Sequence, residues 1–213
     1  MQTTLVQDHR GRLFGAEIAA QADGSRGVTL ATDDRSLFAV MYEARSPGAA
    51  VILASEQPFA PTFQALARGF ARAGVTGLVL QIREGELTLG DLEAARNFLS
   101  LRGALRFGIA AEGNAAAEAI SFGASRADVE AVAVFAPQQI ARCAPERLGG
   151  RPLAVFCNAE DQAGRTLVRR GRAPCELLAF PGAGPVLAEV ASDVAAMWVK
   201  RWIPLLCAPQ LRA

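Results

Sequence analysis

Residues 106–121 read RFGIAAEGNAAAEAIS. The first six, Arg106 to Ala111, are a short apolar run of the kind that forms a strand buried on both faces. From Asn114 to Ser121 the residues are small and spaced for a helix. Glu112 and Gly113 fall between the two. A buried strand that turns at once into a helix is the unit from which parallel α/β sheets are built.

The same unit recurs on both sides. Upstream, Ala49 to Ala54 predicts a strand, Pro61 to Ala73 a helix with Phe63, Leu66, Ala67 and Phe70 on one face, and Thr76 to Ile82 a strand. A helix capped by Thr88 or Asp91 then runs through Leu101. Downstream, Glu130 to Ala136 and Pro152 to Cys157 predict strands, followed by a helix from about Asp161 to Arg170 and a last strand, Cys175 to Phe180. Val186 to Trp202 predicts the final helix, with Val186, Val190, Val194, Met197 and Trp198 on one stripe. Val28 to Thr32 and Leu37 to Ala44 predict an antiparallel pair across the polar Asp33-Asp34-Arg35-Ser36. The pattern predicts an α/β fold: a mainly parallel sheet of seven or eight strands over residues 28–203, helices on both faces, and no large cap domain. Residues 28–213 read as one domain and residues 1–27, the least patterned, as an N-terminal arm or extension.

Composition bounds the function. The chain has 213 residues, 51% of them hydrophobic, and a formal net charge of +1 from 22 basic and 21 acidic residues. That balance excludes a strongly basic nucleic-acid binder. The absence of an apolar run of about 18 residues excludes a membrane-spanning helix. Met1 to Arg12 carries no apolar core of a secretory signal, so a cytoplasmic protein is expected. Almost all the basic charge is arginine, the usage of a GC-rich bacterial genome. His9 is the only histidine, so a site with several histidine ligands is excluded. Cys143, Cys157, Cys175 and Cys207 show no C-x-x-C spacing and read as reduced, mostly buried thiols.

The order of elements, together with the stretches Phe107 to Ala116, Pro152 to Asp161 and Phe180 to Pro185, resembles the α/β-hydrolases, with small dienelactone-hydrolase-like members nearest in length. The resemblance implies a nucleophile elbow of the form G-x-S-x-G. Here those five positions read Ala111-Glu112-Gly113-Asn114-Ala115, so the nucleophile position is Gly113. The acid position is Asp161, and the histidine position is Pro185. The oxyanion loop reads Ser55-Glu56-Gln57-Pro58. A chain lacking nucleophile and base is expected not to run the family's acyl-transfer cycle, because such losses cost about four to six orders of magnitude. The resemblance therefore implies a degenerate triad and a pseudoenzyme that binds a small ligand or a partner protein.

The alternative is a hydrolase or lyase that uses a non-standard site built from Asp161, Glu112 or Cys157. Glu56, Glu84, Glu86, Glu112 and Asp161 fall at predicted strand carboxyl ends, where open α/β sheets bind ligands. They suit acid–base chemistry or a hard cation, though solvated loop carboxylates are the simpler reading. The expected crevice is Ser55, Glu56, Glu84, Glu112, Gly113, Asn114, Cys157 and Asp161, with no cofactor and no metal. The glycine-rich Pro181 to Pro185 lacks the lysine and hydroxyl of a phosphate loop. The apolar tail, Trp202 to Cys207, either completes the core or, with the last helix, pairs two subunits as a homodimer.

Overall fold

The computed structural model describes residues 2–7, 13–21, 23–32, 35–45, 48–55, 61–82, 86–171 and 174–180. Ten strands among them form one sheet. In chain order they are β1 (Gln2–Gln7), β2 (Leu13–Ala20), β3 (Arg26–Ala31), β4 (Ser36–Tyr42), β5 (Ala49–Ser55), β6 (Thr76–Gln81), β7 (Arg106–Glu112), β8 (Val129–Phe135), β9 (Leu153–Asn158) and β10 (Cys175–Phe180). Across the sheet the order is β1-β2-β3-β4-β6-β5-β7-β8-β9-β10. β1 to β4 meander antiparallel, and β4 meets β6 antiparallel. From β6 to β10 every pairing is parallel.

Four helices cover the sheet among the described residues: α1 (Pro61–Arg72), α2 (Leu89–Leu101), α3 (Ala116–Ser125) and α4 (Gln162–Arg170). They divide between the faces. Phe63, Leu66, Ala67 and Phe70 of α1 pack with Val51, Leu53, Val79, Ala110, Phe135 and Phe156. On the other face, Leu92, Ala95 and Leu99 of α2, Ile120 of α3 and Leu167 of α4 pack with Ile52, Leu80, Ile109 and Val155. All seven residues of β5 and all six of β6 are buried, as parallel strands with helices on both sides must be.

The helix starts follow from local chemistry. Thr88 is the N-cap of α2. Its hydroxyl accepts from the Asp91 N–H at 3.2 Å, and the Asp91 carboxylate accepts from the Thr88 N–H at 2.9 Å. Asp91 is fully buried and also takes the Arg35 guanidinium from the start of β4, which ties the antiparallel ribbon to α2. At α1 and β6, helix and strand approach closely. A Cβ on Gly77 would lie 2.6 Å from the Ala67 Cβ, so only glycine fits.

Residues 1–27, expected as an N-terminal arm or extension, supply β1 and β2, which extend the sheet beside β3. Short period-two alternation in a ribbon at the edge of a sheet is a weak signal in sequence. β5 lies between β6 and β7 although β6 follows it in sequence. The final helix and the tail, expected either to complete the core or to pair two subunits, lie outside the described residues, as do Glu56, Glu84 and Pro185. No described helix is long and apolar enough to cross a membrane.

Candidate functional site at the carboxyl edge of the sheet

The pleat fixes which side chains meet at the carboxyl edge. Residues paired across adjacent strands share a face. On the α1 face, Thr29 is opposite Phe38, Phe38 opposite Gln81, and Gln81 opposite Ser55. The row resumes with Glu112 opposite Phe135 and Phe135 opposite Phe156. Gln81, Ser55 and Glu112 are therefore a polar segment in a row otherwise flanked by aromatic rings. The Phe135 and Phe156 rings stack at 4.5 Å and the Phe63 ring stands edge-on to Phe135 at 5.5 Å, which closes the apolar side of the row.

Ser55 and Glu112 touch. The Ser55 hydroxyl, 1% exposed, donates to Glu112 Oε2 at 2.9 Å. β5 and β7 hold the pair in register through Ala54 and Ala111, the residues just before each. Glu112 ends β7, and the chain then turns at Gly113 into a 3-10 turn, Gly113–Ala115, and α3. Gly113 has φ +61, a backbone position that charges an L side chain for its Cβ and charges glycine nothing. The turn is the strand-to-helix elbow that residues 106–121 predict. Its carbonyl accepts from the Gln138 N–H at 3.0 Å, which pins the β8–β9 connection over the elbow. That connection starts under strain, with Ala136 at φ +41 and Gln139 at φ +46. Asn114, half-buried, occupies the 3-10 turn itself.

The other expected site residues fall elsewhere. Asp161 is the N-cap of α4, and its Oδ1 accepts from the Ala163 N–H at 2.8 Å. Cys157 is wholly buried, and its Sγ lies only 2.5 Å from where a Cβ on Gly164 of α4 would stand. Along β9, Phe156 faces α1, so Cys157 faces the opposite layer and cannot reach Ser55 or Glu112. Burial pushes its thiol pKa up, and the nearby Asp161 adds to the shift. A neutral, enclosed thiol is a poor nucleophile, which corrects the expectation that Cys157 lines the crevice. Among the described residues no three carboxylates, thiols or imidazoles converge as a metal site would require.

Gln81 was not singled out from sequence, although a signal existed: it is a polar residue closing the apolar run that begins at Thr76. It is 2% exposed, and neither Nε2 nor Oε1 has a hydrogen-bond partner.

No family model and no curated protein matches the sequence. Solved structures do match in three dimensions. A dienelactone hydrolase from Anabaena variabilis superposes with a TM-score of 0.70 at 13% identity, over 90% of this chain and 99% of that one. Est1E from Butyrivibrio proteoclasticus gives 0.70 at 13% identity, over 86% and 99%. The esterase domain of a Rhodothermus marinus protein gives 0.62 at 14% identity, over 94% and 99%. With a parallel sheet entered through an antiparallel ribbon, helices on both faces and a strand-to-helix elbow at Gly113, the chain has the α/β-hydrolase fold.

Proposed function

We propose that this chain is a pseudoenzyme of the α/β-hydrolase fold, which holds a small ligand or a partner protein at the carboxyl edge of its sheet without hydrolysing it. The observation that carries this reading is the elbow. Gly113 takes the strained backbone position, φ +61, and brings no nucleophile to it. Acyl transfer needs a nucleophile and a base that takes its proton. The only histidine in the sequence, His9, is far from Gly113 along the chain, and the histidine position of the resemblance holds Pro185. The carboxylate at the acid position, Asp161, is engaged in capping α4.

The Ser55–Glu112 hydrogen bond supports a second reading, a hydrolase in which Ser55 attacks and Glu112 takes its proton. A carboxylate with a reference pKa of about 4.3 is a weak base toward a serine hydroxyl, so this dyad is the less favoured account. Hydrolysis of p-nitrophenyl acetate and butyrate decides between them. The pseudoenzyme reading expects wild-type rates equal to the no-protein blank. Turnover that survives Asp161→Ala but disappears in Ser55→Ala and Glu112→Gln would establish the dyad instead.

A further inference from the structure

Folded proteins rarely leave both halves of a buried amide unmet, yet neither polar atom of the Gln81 side chain has a partner. Gln81 stands in the wall of an open cleft of about 410 Å³, whose lining includes Thr29, Arg35, Ser36 and Phe38. That volume lies within the ordinary range of small-molecule sites. The cross-strand register puts Thr29, Phe38 and Gln81 in one row on one face. The cleft spans β3, β4 and the end of β6, and Gln81 is two strand positions, about 10 Å, from β7, so the inference rests on the carboxyl-edge reading given above and names the class of ligand for that edge.

The chemistry of the lining narrows the occupant. The Arg35 guanidinium donates through Nε and Nη2 to both oxygens of the fully buried Asp91 and through Nη2 to the Glu86 carbonyl at 3.0 Å. Its charge is offset by a carboxylate that cannot move to solvent. Among the described residues the remaining polar side chains of the lining are neutral: the Gln81 amide and the hydroxyls of Thr29 and Ser36. Beside them the half-buried Phe38 offers a flat apolar wall.

We propose that this cleft binds a small neutral molecule carrying a carboxamide or lactam. The Gln81 side chain turns its covered amide into the cleft, so that the ligand's C=O accepts from the Gln81 NH₂ while its N–H donates to the Gln81 carbonyl, and the ligand's apolar body lies against Phe38. A carboxylate sets an acceptor against the Gln81 oxygen, and a hydrocarbon leaves both amide atoms unmet.

Titration calorimetry of the full chain tests this with benzamide and 2-piperidone as amide probes and benzoate and toluene as controls. The expected result is saturable one-to-one binding of the two amides in the millimolar range, with both controls weaker by about tenfold or more. Gln81→Leu removes both hydrogen bonds and weakens benzamide by about tenfold or more. Gln81→Met, unbranched and close in length, does the same if leucine disturbs the packing. Wild-type protein that binds neither amide overturns the proposal and assigns the amide to an internal water. Benzoate that binds as well as benzamide, or variants that bind benzamide as wild type does, overturns it as well.

Discussion

Placing a serine at the elbow, Gly113→Ser, separates the backbone of a nucleophile site from its chemistry. Gly113 has φ +61, and an L side chain in the left-handed region costs about 1–2 kcal/mol. In a domain of this size each kcal/mol moves the midpoint by about 2–4 °C, so the variant should melt about 2–8 °C below wild type. Gly113→Ala adds the same Cβ without a hydroxyl and should lose a similar amount. The hydroxyl of the serine variant would still lack a base that is both near and basic enough. Ester hydrolysis by Gly113→Ser should therefore match the blank, because a serine without its base forfeits about four orders of magnitude or more. Calorimetric melting and initial rates on p-nitrophenyl acetate read both quantities. A serine variant as stable as wild type would show that no left-handed position is held at the elbow in solution. One that turns over ester efficiently would show that a base serves the elbow after all.

Asp91→Ala should cost about 3–4 kcal/mol, since it removes both a helix cap and the partner of Arg35 from a fully buried position; Asp91→Asn, which keeps the cap, should lose less. Denaturant midpoints measure both, and equal losses would put the effect on the charge alone. Gly77→Ala should lose about 1–3 kcal/mol by pushing α1 off β6, since its Cβ would stand 2.6 Å from the Ala67 Cβ. A neutral result would mean that α1 shifts freely. Burial raises the thiol pKa values of Cys143 and Cys157 in the folded state, so the native protein holds these protons after the unfolded chain has released them. Their contribution to stability should be fully present below pH 9.0, the ordinary thiol value, and fall as pH rises beyond it. Urea unfolding across that window should show a decline that Cys143→Ala/Cys157→Ala flattens, and a variant with the same slope as wild type would refute the cause.

Much of the architecture is legible in the chain. Unbroken apolar runs at Thr76 and Arg106 have no place except between two helical layers, and α1 announces its buried face through Phe63, Leu66, Ala67 and Phe70. The elbow is legible because a glycine directly after a buried strand is suited to a left-handed turn. The ribbon β1–β2 is not, because its stability comes from pairing with β3 rather than from its own residues.

The sequence by itself determined the alternation of strand and helix, the glycine elbow, and the lack of a serine and a histidine at the positions where the resemblance expects them. The tertiary structure decided which polar residues meet. Period-two alternation says that Phe156 and Cys157 face opposite ways, but only the packing of α4 and α1 shows that Cys157 is on the far side from Glu112. Asp161 reads equally as a catalytic acid or a cap until α4 is seen to begin on it. Gln81, Ser55 and Glu112 are scattered over 57 residues between Ser55 and Glu112, and become neighbours because β5 inserts between β6 and β7. Adjacency across a parallel sheet is set by how the crossover helices pack, and those long-range contacts leave no local trace in the chain.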